Sequence, residues 1–362
     1  MKLRHKIMIG ILFVTAVSYG LSWKFPDAVE WYKRNIFSVG TNTLSRLLSL
    51  IPFSVGEWLI YIGIAVLIGA VFAGVLGCFG TAGMRKFAKR YFECILWAIV
   101  WVLVTENFNC YVMYHAKTLE ETYFSGIEGK EETLVLAYND LVDHANRLSL
   151  EMQRDEKGEV VYDGDLYEAC KKAMRSLGDE FPYLKGYYPN PKKIWSSDFM
   201  SQQYLAGIYF PFTLEANYNG TMYIMNRPAT ICHELSHLKG VILEDEANFF
   251  GFLACIRSKD PFVAYSGYLS ILGYVSREVR NHVDLEVRKQ MAQPSELVQK
   301  DAVFLTKEEW ERVEKKAVLK TETVNQATDA FLEGNLKANG VADGIESYQR
   351  VVRLILKWYE KG

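Results

Sequence analysis

Cysteine is sparse, and its six positions (Cys78, Cys94, Cys110, Cys170, Cys232 and Cys255) never fall at C-x-x-C spacing. That excludes a zinc ribbon, a dithiol redox motif and a disulfide framework, and leaves ordinary buried thiols. An excess of one charge is also lacking. The 41 Lys and Arg residues nearly balance 43 Asp and Glu, for a net charge of -2, so no basic surface for nucleic acid is expected. Histidine is scarce, with six among 362 residues, so two of them at ligand spacing are not a product of composition. Half of the chain is hydrophobic, and that half is unevenly spread.

The apolar residues crowd into residues 1–115. Spans are predicted at about 7–23, 58–79 and 91–110, each long enough to cross a bilayer. The basic start Met1-Lys-Leu-Arg-His-Lys6 could open a signal peptide. The further spans favour an uncleaved first helix instead. Arg85-Lys-Phe-Ala-Lys-Arg90 lies between the second and third spans. By the positive-inside rule this loop and the N-terminus are cytoplasmic, which puts residues 116–362 outside the cytoplasmic membrane. The loop 24–56 reads either as an amphipathic helix lying on the outer surface or as a packing helix between spans.

Residues 116–362 read as a mostly helical domain with a small β-sheet. Helical periodicity marks 131–148 and 165–177. From Gly178 to Thr230 prolines and aromatics replace it. Two short strands are expected at Leu205–Phe210 and Thr221–Met225, turning at Asn217-Tyr-Asn-Gly220. A glycosylation sequon falls at Asn219-Gly-Thr221. Further helices are expected at 249–256, 265–275, 277–291, 307–320 and 347–359, with Ser347 as a cap for the last.

The chemistry concentrates in one stretch. His233, Glu234 and His237 form H-E-x-x-H. Positions four apart share one helix face, so two imidazoles can grip one metal ion. Glu234 points about 100° round the helix, beside the metal rather than on it. Zinc held this way keeps an open position and lowers the pKa of its water, and a neighbouring carboxylate can act as general base. At average residue usage the pattern arises by chance in roughly one chain per hundred of this length, so coincidence is the poorer explanation. Thr230 is a candidate N-cap for this helix.

A third ligand is needed, and Glu244-Asp-Glu-Ala-Asn248 follows closely. The set resembles the gluzincin metallopeptidases, whose third ligand is a glutamate in an E-x-x-A-D or E-x-x-A-N pattern. That resemblance implies Glu244 as metal ligand and Asn248 as the residue that orients a ligand histidine. The gap from His237 to Glu244 is shorter than in most gluzincins. Gly240 also stands where metzincins place a helix-breaking glycine, while their third histidine would fall at Leu243. A turn at Gly240 could return Glu244 to the metal. Glu246 is the alternative ligand, and a plain solvated helix start is the alternative to both. Tyr348 and His282 are candidate oxyanion donors.

Taken whole, the chain is similar to a bacterial membrane family known as domain of unknown function 3810. The likeness covers the three spans, Pro211-Phe-Thr-Leu-Glu-Ala-Asn217, the H-E-L-S-H site, Glu244–Phe249, and the region from Asn339-Gly340 to Ser347-Tyr348. It implies that Glu215 and Asn217 line the cleft. The expectation is a membrane-bound, multi-pass zinc metalloendopeptidase with one Zn2+ per chain, acting on a peptide or protein substrate. The alternative is a non-catalytic sensor or scaffold whose zinc stabilises a peptide-binding domain. Glu234 favours the enzyme, because a structural zinc site has four ligands and needs no base. Intramembrane proteolysis is disfavoured, because Lys239, Glu244, Asp245 and Glu246 beside the site would be costly in a bilayer.

Overall fold

A computed structural model describes residues 2–362. The chain divides into two compact units, one of residues 1–116 together with 210–215, the other of residues 117–209 and 216–362.

The first unit is helical. Its elements are α1 (Leu3–Ser22), α2 (Pro26–Tyr32), α3 (Ser38–Leu48), α4 (Val55–Phe79) and α5 (Ala82–Asn109), with a π-helical turn at Lys33–Phe37. Three segments, Leu3–Ser22, Val55–Phe79 and Ala82–His115, are long and apolar enough to cross a membrane. The chain is therefore a membrane protein. α5 begins well before the expected third span, so the basic run Arg85–Arg90 is helical rather than a loop. Thr81 caps it through the Met84 amide, and Lys and Arg are good helix formers. The loop 24–56 becomes α2, the π turn and α3, with Val29 and Phe37 buried and Trp31, Leu47 and Leu50 exposed. α1 and α5 run parallel. Arg4 pairs with Glu93, and Asn107 donates to the Ser18 hydroxyl at 3.0 Å. The basic starts of both helices thus lie at the same end.

The second unit is built around one buried helix. Its elements are α6 (Leu119–Tyr123), α7 (Glu131–Ser149), α8 (Leu166–Ser176), β1 (Lys192–Ile194), α9 (Ser197–Gln202), β2 (Gly207–Phe210), β3 (Glu215–Asn219), α10 (Arg227–His237), α11 (Glu244–Ile256), α12 (Pro261–His282), α13 (Leu285–Arg288), α14 (Glu296–Asp301), α15 (Lys307–Lys316), α16 (Thr321–Ala338) and α17 (Arg350–Lys361). α11 is apolar all round from Phe249 to Cys255 and fully buried, as a helix with no polar face must be. It packs against α8, α10, α12 and α17. α12 is one continuous helix where two were expected. Tyr265, Tyr268, Leu272, Val275 and Val279 alternate by three and four and are all buried, so a single stripe carries the helix past Val275. Tyr348 and Ser347 lie in a 3-10 turn before α17, so Ser347 is not the cap of a longer helix.

The sheet also departs from expectation. Its order is β1-β3-β2, with β1 parallel to β3 and Lys192 opposite Asn217. The second strand is Glu215–Asn219, not Thr221–Met225, and the hairpin turns at 211–214. Asn217 and Asn219 look like turn formers but are fully buried inside β3. Asn217 Nδ2 donates to the Ile208 carbonyl at 3.1 Å, and Asn219 Nδ2 to Ser201 Oγ at 2.9 Å. Tertiary partners override their local preference, and they remove the sequon at Asn219 from solvent. The turn instead uses Leu214 at φ 53°, a conformation uncommon outside glycine.

An ion pair with a buried carboxylate also lies in this unit. Asp301, fully buried, accepts from Arg154 at 2.6 and 3.0 Å and from the Tyr265 hydroxyl at 2.9 Å. Arg154→Ala would strand that carboxylate, a loss of about 3–5 kcal/mol. A clear fall in the urea midpoint of the solubilised chain is expected, and an unchanged midpoint would show that the pair is dispensable.

Candidate metal centre

α10 and the turn after it build the centre. Pro228 sits in the first turn of the helix, where its missing N–H costs nothing. Thr230 lies inside the helix rather than capping it. The helix ends in a Schellman turn. Gly240, at φ 77°, donates to the His237 carbonyl at 2.9 Å, and Val241 donates to Ser236 at 3.3 Å. Only glycine takes that φ without strain. The turn carries the Val241 carbonyl back to His237 Nδ1, at 2.6 Å. It also restarts the chain as α11, with Glu244 at its first position.

The two histidines are thereby set in one tautomer. A carbonyl oxygen only accepts, so His237 carries its proton on Nδ1 and leaves a lone pair on Nε2. His233 Nδ1 bonds Asn248 Oδ1 at 2.9 Å in the same sense. The two Nε2 atoms then face each other at 3.1 Å. Glu244 Oε2 stands 3.2 Å from His233 Nε2. Three acceptors so close need a positive charge among them. Burial and His233 hold the His237 imidazole down at about 4. Burial works against charge on His233 too, but the Glu244 hydrogen bond and the charges of Glu234 and Glu244 outweigh it and push its pKa up to about 9. A metal ion can supply the same charge. Two ligands of one tetrahedral zinc at about 2.1 Å stand roughly 3.3–3.4 Å apart, so these separations suit a shared ion.

Glu234 occupies a different place. Its Oε1 lies 3.9 Å from His233 Nε2, farther than Glu244, and its buried Oε2 has no hydrogen-bond partner. Burial raises its pKa to about 8. His233, Glu234 and His237 form the one group able to hold a metal found among the described residues.

The other expected residues divide. Glu246 accepts from the Leu119 amide at the start of α6, so its carboxylate is spent on capping. Tyr348 hydrogen-bonds Glu244 and is part of the centre. His282 ends α12 on an exposed face, 3.2 Å from Glu278, and is not part of it. Glu215 and Asn217, expected to line the cleft, have partners of their own. The Glu215 carboxylate caps α4, and Asn217 holds β2. The sequence reading missed three neighbours. A Cβ on Gly207 would collide with the Glu234 carboxylate, so β2 is seated directly on Glu234. The Tyr209 ring lies 5.7 Å from the His237 ring. Tyr274, on α12, adjoins Asn248 and Glu244. Nothing in the local pattern of the proline-rich and aromatic stretch, or of α12, marks these positions.

The centre and the membrane helices occur together in a membrane protein with a mainly helical second unit. The chain belongs to the family described as "Protein of unknown function (DUF3810)", which it matches over residues 32–356. No curated protein and no solved structure gives a significant match.

These contacts separate the two candidate ligands. Glu244→Ala should abolish binding of one metal equivalent, while Glu246→Ala should keep it. Asn248→Ala should weaken it about 10–100-fold, as loss of a histidine-orienting partner does. Metal content by mass spectrometry after dialysis checks all three. Retention in Glu244→Ala would remove it from the ligand set.

Proposed function

We propose that the chain is a membrane-anchored zinc-dependent metallopeptidase, with His233, His237 and Glu244 as zinc ligands and Glu234 as general base. The observation that carries this reading is the pair of Nε2 atoms at 3.1 Å, each with its Nδ1 already committed, and Glu244 beside them. Bound zinc would supply a Lewis acid and bring the pKa of a water towards neutrality.

The chain's own residues supply the rest. Glu234 is the proton carrier. Its unpartnered Oε2 is free to accept from the attacking water, and its buried carboxyl can hold that proton and pass it to the leaving amine. Asn248 and the Val241 carbonyl keep both imidazoles turned with Nε2 towards the ion. Tyr348 is the oxyanion donor this reading prefers, because it lies beside Glu244. β2 is one of the two edge strands of the sheet. An extended peptide pairing with that edge would run past Glu234, because Gly207 lies against it. The substrate class is therefore an extended peptide.

The shared end of the basic residues on α1 and α5 supports a cytoplasmic N-terminus. With that orientation, three spans would leave residues 117–362 outside the cytoplasmic membrane.

The test uses the full chain in nanodiscs. About one zinc per chain is expected, with cleavage of extended peptides in a library. Glu234→Gln should keep the zinc and lose at least about 100-fold in rate. Full activity in that variant would sink the mechanism. No zinc after loading at neutral pH would sink the zinc reading and turn interest to a scaffold.

A further inference from the structure

An open aromatic platform lies just upstream of β2, within the unit that carries the metal centre. The Tyr204 ring stacks on Phe304 at 6.0 Å and meets Trp310 at 5.2 Å. Phe304 and Trp310 stand 6.3 Å apart. Tyr204 stays 55% exposed, so the trio is open to solvent. The frame beneath it is fixed. The Tyr223 amide donates to the Phe304 carbonyl at 2.9 Å, and Asn226 Nδ2 to the Val303 carbonyl at 2.8 Å. Asp198 on α9 accepts from Arg312 and Lys316 on α15, at 3.2 and 2.9 Å. That ties the helix of Trp310 to the helix that leads into Tyr204.

Tyr204 stands where glycine would be easier to accommodate. It follows α9 in a Schellman turn, with the Leu205 amide on the Met200 carbonyl at 3.1 Å and its own amide on the Ser201 carbonyl at 3.0 Å. Its φ is 54°, which is uncommon for a bulky residue. Burial does not account for an exposed ring in that place. Its position beside the centre does. The Asn219 amide donates to the Ala206 carbonyl at 2.7 Å, so residue 206 faces β3. Alternate residues of an antiparallel pair turn their N–H and C=O to opposite sides, so Gly207 turns its own to the edge. Gly207 is also the residue that bears on Glu234. Tyr204 lies three residues upstream of it, at most about 10 Å along the chain. We propose that Tyr204, Phe304 and Trp310 form a subsite for an aromatic or large aliphatic side chain of the substrate peptide, about three residues from the scissile bond. Rings held this rigidly cover such a side chain at little ordering cost. The place of the scissile bond rests on the proposed peptidase reading. The capture of the side chain does not.

The experiment separates the two. Fluorescein-labelled peptides, each with a single Phe in a Gly-Ser-Thr host, are titrated by anisotropy onto the zinc-loaded full chain in nanodiscs, in the Glu234→Gln background. The Phe should tighten Kd about 10-fold over the same peptide with Ala in its place. In Tyr204→Gly that gain should shrink to less than about 2-fold, although glycine suits the backbone there and keeps the turn. Tyr204→Phe should retain most of the gain. The wild-type chain should cut the Phe peptide about three residues from the Phe. No binding, no gain from the Phe, or a gain that survives Tyr204→Gly would overturn the subsite, as would cleavage next to the Phe. Binding of the Phe peptide that depends on Tyr204, with no cleavage by the wild-type chain, would overturn the peptidase reading and leave the subsite standing.

Discussion

Two imidazole protons decide the character of the centre. The Val241 carbonyl accepts a hydrogen bond from His237 Nδ1, and Asn248 Oδ1 accepts one from His233 Nδ1. What remains is a pair of lone pairs 3.1 Å apart, with the Glu244 carboxylate alongside. In a buried site those acceptors repel one another unless a cation joins them. The arrangement depends on a single turn. Gly240 lets the chain reverse tightly enough for Val241 to reach back and for Glu244 to open the next helix. α11 could not otherwise bring Asn248 and Glu244 onto the same two histidines.

The buried carboxylates show how environment sorts one chemical group into several roles. Glu244 faces the histidines, which hold it ionised against its burial. Glu234 has burial but no close donor, and burial pushes its pKa up to about 8. Glu246 caps α6, and Glu215 caps α4. Asp245 is raised to about 6 by burial, with Arg350 offsetting part of that. The groups buried beside each carboxylate decide its state.

The hairpin adds a constraint of another kind. β2 has no side chain at Gly207 to hold it off Glu234, so the strand packs directly on that carboxylate.

The sequence alone determined three apolar spans, the H-E-x-x-H pair on one helix face, the turn at Gly240 and the E-x-x-A-N follow-on. Each is a local matter of length, period or spacing. It left Glu244 and Glu246 open, because both carry the same carboxylate and only the Leu119 amide, far away in the chain, claims one of them. It misplaced the second strand, because Asn217 and Asn219 read as turn formers until Ile208 and Ser201 supply partners for them. Glu215 looked like a cleft residue, and only the folded chain assigns it to the start of α4. Tyr209, Tyr274 and Gly207 carry no local mark at all. Spacing along one helix is written in the sequence, whereas a buried polar group's partner comes from whichever distant segment the core brings within hydrogen-bond reach. Only the tertiary structure decides that.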